Sequence, residues 1–252
     1  SRPLYAAVDP VDFRRSFDVL IAIARDQLGL DALRSAIVLF VNRDGSRCKL
    51  LFHDGSGLVI LYKRLDAAIK ASGVIYPPKT VRLAVFKAER RLELWLPDKA
   101  GAWRFVKDYK FTAMSGSQGP KLYYGDLQIP EGIYGIDRLD LSPEYHLAMH
   151  VDHPNDFDKA MIELEGRDPR HVSTGINVHG GAISYGCVVI GDRNIEEVFM
   201  LSYLAGKENT QLYIFPHDTN RAAPEFRHCE KCPVWYGELT RHLEAAIKDF
   251  QR

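Results

Sequence analysis

Apolar and polar positions along this chain follow two periods, one helical and one alternating. Phe13, Phe17, Leu20, Ile21 and Ala24 recur at helical spacing, which predicts an amphipathic helix over 13–27. Asp12 is placed to cap that helix and Gly29 to stop it. Residues 37–42, 48–53 and 58–63 read as strands, with turns at Arg43-Asp44-Gly45-Ser46 and Gly55-Ser56-Gly57 between them. The unit expected here is a helix packed on a small β-meander.

Pro77-Pro78 interrupts the pattern, since consecutive prolines stop both a helix and a central strand. Alternation returns at 81–87, 92–96 and 103–110, aiming Leu83, Val85, Leu92, Leu94 and Trp95 at a shared core. Asp98-Lys99-Ala100-Gly101 supplies a hairpin turn. Further strands are predicted at 133–137, 145–151, 176–179, 187–190 and 211–215. Helices are predicted at 156–164, 194–204 and 234–250, with Asp156 near the start of the first and Asp192 or Asn194 capping the second. The fold class is therefore α+β: a small α/β N-terminal unit followed by a mostly β domain with peripheral helices. The expected divisions are residues 1–70, a linker at 71–80, a main domain at 81–220, and a C-terminal segment at 221–252.

Composition narrows the function. A chain of 252 residues, 46% hydrophobic, accommodates two domains with their own cores. No apolar run approaches the ~20 residues of a membrane-spanning helix. Lys and Arg total 33, as do Asp and Glu, so no strongly charged partner is indicated globally. Within the first segment Arg14, Arg15, Arg43, Arg47, Lys49, Lys63 and Arg64 could meet phosphate. Asp9, Asp12, Asp18, Asp26, Asp31, Asp44, Asp54 and Asp66 nearly balance them, which favours a solvated surface over a nucleic-acid groove.

The candidate chemistry lies in Asn177-Val178-His179-Gly180-Gly181-Ala182-Ile183-Ser184-Tyr185-Gly186-Cys187, which runs on into Val188-Val189-Ile190. A thiol becomes a nucleophile as the thiolate, and a histidine in reach can take its proton. Gly186 lets backbone approach a substrate carbonyl, and the Gly186 and Cys187 N–H groups could hold an oxyanion. The plainer reading is a buried cysteine beside a structural histidine. His146, His150, His153 and His171 compete for the role of base, with His146 and His150 expected on one strand face. No acidic or cysteine ligand at regular spacing accompanies them, so no metal is expected. Cys229-Glu230-Lys231-Cys232, preceded by His228, suits a disulfide or plain thiols better than half a zinc site. Cys48 falls on a predicted strand and is expected to be buried.

His179-Gly180 with Ser184-Tyr185-Gly186-Cys187 resembles the signature of the L,D-transpeptidases (YkuD-type), in its short-spaced YafK-like form. Ser115-Gly116, Gly119-Pro120-Lys121-Leu122, Gly125-Asp126 and Pro130-Glu131-Gly132-Ile133-Tyr134 match that family's entry region. Tyr145-His146-Leu147 and Pro154-Asn155-Asp156-Phe157-Asp158 match its middle, so the likeness runs from about Val81 to at least Pro216. The resemblance implies action on peptidoglycan stem peptides in the periplasm or cell envelope. The implied chemistry is an acyl-enzyme on Cys187, resolved by an amine or by water, with no cofactor. It further implies His179 as base, Gly186 and the Cys187 amide at the oxyanion hole, and Ser184 orienting the histidine or lining the pocket. Gly180, Tyr185, His153, Tyr145 and Lys121 fall at substrate-side positions. Tyr185 stands where many relatives have histidine or lysine, and His153 where a tyrosine often precedes Pro-Asn. Those departures bear on substrate preference more than on reaction type.

Residues 8–66 are similar to a different family. Val11-Asp12-Phe13-Arg14-Arg15-Ser16-Phe17-Asp18, Val38-Leu39-Phe40-Val41-Asn42-Arg43 and Cys48-Lys49-Leu50-Leu51-Phe52-His53-Asp54-Gly55 carry the likeness. The family is the small accessory protein, often called TnpB or Orf2, of the IS sixty-six insertion sequences. It implies a link to transposition and no catalytic residue. The start of the chain shows no charged region followed by an apolar core and cleavage site. An unexported product would stay in the cytoplasm, against the envelope location that the other resemblance implies. Three readings stand: a cysteine-dependent acyltransferase or amide hydrolase, a transposition-associated fusion with an inactive C-terminal half, and a peptidoglycan-binding module.

Overall fold

The computed structural model describes residues 4–7, 10–12, 14, 17–28, 37–43, 47–53, 58–64, 69, 71–142, 144–172, 175–220 and 232–251. The chain divides into two compact units, Ser1–Lys70 and Ala71–Arg252.

In the first unit the elements are β1 (Leu4–Ala6), α1 (Phe17–Leu28), β2 (Ile37–Val41), β3 (Arg47–His53) and β4 (Leu58–Arg64). The sheet order is β1-β2-β3-β4, with β1 parallel to β2 and the other pairs antiparallel. Leu20 and Ala24 of α1 are buried against Val38, Phe40 and Leu51, the contact expected of an apolar helix stripe on a half-buried sheet. The meander gains a parallel strand that alternation does not reveal, because three residues are too few to show a period. The described helix starts at Phe17 rather than at 13. Asp12 accepts the Arg14 backbone N–H at 3.0 Å and its guanidinium at 2.6 Å, forming a local turn ahead of the helix. Phe13, Gly29 and both turns lie wholly or mainly outside the described residues. Cys48 is buried on β3, as expected, and is not in a disulfide.

The second unit is built on one eight-stranded sheet. Its strands are β5 (Val81–Phe86), β6 (Arg91–Pro97), β7 (Trp103–Lys110), β8 (Gly132–Ser142), β9 (His146–Val151), β10 (Asn177–His179), β11 (Val188–Val189) and β12 (Thr210–Phe215). Their order is β11-β10-β9-β8-β12-β5-β6-β7. β12, last in sequence, inserts between β8 and β5, antiparallel to the first and parallel to the second. Nearly every residue of β5, β6 and β12 is buried, so these strands are covered on both faces. The helices are α2 (Asp156–Leu164), α3 (Asp192–Ala205) and α4 (Tyr236–Ala246).

The helix ends follow local chemistry. Asn155 caps α2 in a reciprocal box: it accepts the Asp158 N–H at 2.9 Å, and Asp158 accepts the Asn155 N–H at 3.0 Å. At α3 the capping position is Gly191, with no side-chain cap, and Asp192 instead accepts the Gly181 N–H at 2.7 Å. The helix N-terminus is thereby tied to the loop after His179.

Tyr236, Leu239 and Leu243 of α4, with Ile247 and Phe250 beyond it, bury against Ala84, Phe86, Trp95, Tyr213 and Phe215. Phe250 meets Trp95 edge-on at 5.4 Å and Tyr213 at 4.8 Å. Each buried side chain of this size contributes roughly 1.5–3 kcal/mol. Residues at 71–80 join the same unit: Ile75 donates to the Pro97 carbonyl at 2.9 Å, and Val74 bridges to Asp98. Cys232 is disulfide-bonded, and Cys229 lies outside the described residues. Among the described residues no helix is long and apolar enough to cross a membrane.

Candidate active site

His179 closes β10, and Cys187 immediately precedes β11. The two strands pair in parallel, with Val178 opposite Val188 and His179 opposite Val189. That register draws Cys187 alongside Asn177, whose backbone and side chain both hydrogen bond to it. Cys187 is 8% exposed, and its thiol points to the Gly175 carbonyl at 3.8 Å. On the other side β10 pairs with β9, placing His179 opposite Ala148.

The imidazole is held by its neighbours. His179 Nδ1 lies 2.6 Å from the Gly180 carbonyl oxygen. A carbonyl only accepts, so Nδ1 carries the proton and Nε2 keeps the lone pair. The Tyr145 ring packs over the imidazole, centroids 4.4 Å apart. Gly180 fits because it has no side chain: a Cβ there would sit 2.6 Å from Asp192 Oδ1 and 2.8 Å from the Tyr145 backbone carbonyl oxygen.

Burial sets the protonation of both groups. It pushes the Cys187 thiol up from its ordinary value, against the opposing pull of the Asn177 hydrogen bonds and the Lys121 charge. It pushes the His179 imidazole down, with the Gly180 carbonyl bond opposing. Both shifts favour the neutral form. Near neutral pH each group is thus neutral, Cys187 as thiol and His179 as imidazole.

The turn before the cysteine is tightly determined. Gly186 has φ +98°, and a Cβ there would meet the Gln128 carbonyl oxygen at 2.8 Å. The Gly186 N–H, expected at the oxyanion hole, donates instead to Ser115 Oγ at 2.7 Å. Ser184 Oγ donates to the Cys187 carbonyl at 2.8 Å and lies 3.1 Å from Ser115 Oγ. Ser184 is thus bonded within the turn that carries Cys187.

The other expected residues divide between the site and its surroundings. Lys121 is buried and bonded to Asp126 at 2.5 Å, close enough to Cys187 for its charge to act there. Tyr185 is 72% exposed beside the cysteine, and Tyr123, Tyr124, Leu127 and Ile183 are exposed in the same two loops. His153 is buried in a separate group, 3.8 Å from Asp158 and packed against Tyr134. His146 bonds Glu196 at 3.0 Å and His150 bonds Asp137 at 2.6 Å, so each has its own carboxylate. Among the described residues no three His, Cys, Asp or Glu side chains gather as a metal site would require.

Sequence reasoning names Asn177 and Ser115 only as members of motifs, without a role, and passes over Gln128. Asn177 was findable, since alternation puts it on the same strand face as His179. Ser115 and Gln128 come from distant loops, and nothing local marks them as neighbours of Gly186.

The chain matches two kinds of protein. The family described as IS66 Orf2 like protein matches residues 2–71. Over 176 residues the chain is 31% identical to "Putative L,D-transpeptidase YafK" of Escherichia coli strain K12, covering 68% of this chain and 61% of that protein. The same values hold for the protein of that name from Escherichia coli O157:H7. The chain thus spans about three fifths of the length of these curated relatives. Among solved structures it is similar to the helical cell shape determining protein Pgp2 of Campylobacter jejuni, at 19% identity and TM-score 0.42, covering 58% of this chain and 51% of that one. It is also similar to Bd1075 of Bdellovibrio bacteriovorus, at 18% identity and TM-score 0.40, covering 70% and 58%. At these values the two structures bear on neither substrate nor mechanism. An N-terminal segment resembling the insertion-sequence Orf2 proteins is joined to a longer segment resembling the L,D-transpeptidases of the YafK type.

Proposed function

We propose that the second unit is a cysteine-dependent acyltransferase or amide hydrolase acting on peptidoglycan stem peptides, with Cys187 as nucleophile and His179 as base. The observation that carries this reading is the pairing of β10 with β11. It brings Cys187 beside the strand of a histidine whose Nε2 retains its lone pair, because Nδ1–H is spent on the Gly180 carbonyl. The substrate class comes from the L,D-transpeptidase resemblance.

In this reading the thiol proton passes to His179 Nε2 as Sγ attacks the stem-peptide carbonyl. The C–S bond forms and the amide bond breaks. The leaving amine takes its proton from the imidazolium, which leaves an acyl-enzyme thioester. An incoming amine or water attacks that carbonyl, gives a proton to His179, and releases Sγ, which is reprotonated. Because the resting pair is neutral, charge develops only as substrate closes the site, where a buried environment strengthens each hydrogen bond to it.

Incubation of the full chain with purified sacculi tests the proposal. The wild type alters the released muropeptide profile and Cys187→Ala does not. An identical profile change with the alanine variant removes the assignment.

A second reading is favoured by the match at residues 2–71: a transposition-associated protein whose second unit is catalytically inert. An unchanged sacculus profile with the wild type would point there.

A further inference from the structure

Three polar contacts around Cys187 join into one directed chain. Ser184 Oγ has a single hydrogen, and it goes to the Cys187 carbonyl at 2.8 Å. The 3.1 Å contact between Ser115 Oγ and Ser184 Oγ therefore uses the Ser115 hydrogen. Ser115 Oγ in turn accepts the Gly186 N–H at 2.7 Å. The path runs Gly186 N–H to Ser115, Ser115 to Ser184, and Ser184 to the Cys187 carbonyl. The Gly186–Cys187 backbone itself closes the ring.

Such a ring has one hydrogen direction, and each bond polarises the next. It fixes both ends of the two-residue segment that carries the thiol, at a glycine already held at φ +98° against Gln128. It also consumes the Gly186 N–H. Of the two amides in this segment, only the Cys187 N–H lies outside the ring.

Taking Cys187 as the nucleophile proposed above, we propose that Ser115 is a positioning residue for acyl transfer. Acting through Ser184, it locks the peptide that presents the Cys187 thiol, and it leaves the Cys187 N–H as the donor from this turn to the oxyanion. Ser115 touches neither the substrate carbonyl nor the thiol in this role.

The test compares wild type, Ser115→Ala, Ser184→Ala, the double variant and Ser115→Thr as full chains. A carbapenem serves as acylating probe, followed by intact mass, and NMR follows exchange of the Gly186 amide. Ser115→Ala should acylate about 10- to 100-fold more slowly, the range that small misplacements of a reacting group produce. Its Gly186 amide should exchange faster while the melting temperature stays near that of the wild type. Ser115→Thr, which keeps the hydroxyl, should recover most of the rate. The double variant should be no slower than either single one, since both break the same ring. Acylation of Ser115→Ala at the wild-type rate or above overturns the proposal, because the Gly186 N–H would then serve better free than bound. An unchanged Gly186 amide overturns it too. If the wild type itself takes no label while the Gly186 amide still responds to Ser115→Ala, the nucleophile assignment has failed. The acyl-transfer role of Ser115 falls with it, leaving only a structural lock.

Discussion

Lys87 Nζ lies 2.9 Å from Glu131 Oε1, with both side chains entirely withdrawn from solvent. Burial pushes the lysine below its ordinary pKa, and the glutamate opposes that shift. Lys87 also donates to the carbonyls of Gly119 and Ile129 at 2.8 Å each, while Glu131 accepts the Gly119 N–H and, at 2.6 Å, the Tyr236 hydroxyl. One buried pair thus ties the β5–β6 turn, two loops and α4 together. The loops it ties flank the segment carrying Ser115 and the one carrying Gln128, both of which contact Gly186. Lys87→Met leaves Glu131 buried without its cation, which typically costs about 3–5 kcal/mol. Urea denaturation should show a loss of that size, with slower acylation of Cys187. A loss under about 1 kcal/mol would mean that the pair is not the clamp.

The neutral states of His179 and Cys187 have a pH signature. Burial lowers the His179 pKa from ~6.5, so Nε2 stays unprotonated below the range of a free imidazole. The raised Cys187 pKa keeps the thiol protonated beyond the ordinary thiol range. The acylation rate should therefore hold a plateau across neutral pH, with its acid limb below ~6.5. His179→Ala should lower the plateau by roughly 10²–10⁴-fold. An acid limb above 7 in the wild type, or an unchanged rate in the variant, would assign the base elsewhere.

How much of this was legible in the sequence depends on whether a signal is local. Alternation locates β5, β6 and β7 because each has several residues with one apolar face, and α2 spans the 156–164 expected of it, with Asn155 and Asp158 supplying its cap. β11 is two residues long, too short for a period, and only its partner β10 defines it. His179 and Cys187 stand out because their spacing and the glycines between them are unusual within one short stretch. Lys87 is invisible: a lysine at a strand end reads as solvated, and the three groups that hold it lie 32, 42 and 44 positions away. Ser115 is 71 positions from the amide that it accepts, so only the folded chain makes them neighbours.

Asp158 provides a stability switch outside the cysteine site. Burial raises its pKa from 3.8 to about 6, while the Asn155 N–H and the Tyr134 hydroxyl pull the other way. The folded value exceeds the unfolded one, so the stability contribution is complete below pH 3.8 and is lost as pH rises through 6. A two-unit shift corresponds to about 3 kcal/mol. Asp158→Asn removes the titration, so its stability relative to wild type should improve by up to that amount between pH 4 and 7. Denaturation curves showing a pH-independent difference between the two proteins would contradict this.

Gly186→Ala meets two obstacles at once, the left-handed φ and the Gln128 carbonyl 2.8 Å from the added carbon. Strain of this kind costs of order 1–3 kcal/mol, and the backbone must shift where the thiol is presented. Calorimetry should show a lower melting temperature, and acylation should fall further than in Ser115→Ala. Wild-type behaviour in both assays would place the observed turn geometry in error.

The nucleophile itself is open to the most direct test. The full chain, treated with a defined tetrapeptide muropeptide, is digested and the adduct mapped by tandem mass spectrometry. A thioester on Cys187, absent from Cys187→Ala and from protein pre-treated with iodoacetamide, is the predicted result. No adduct, or one mapped to another residue while Cys187 stays unmodified, contradicts the account.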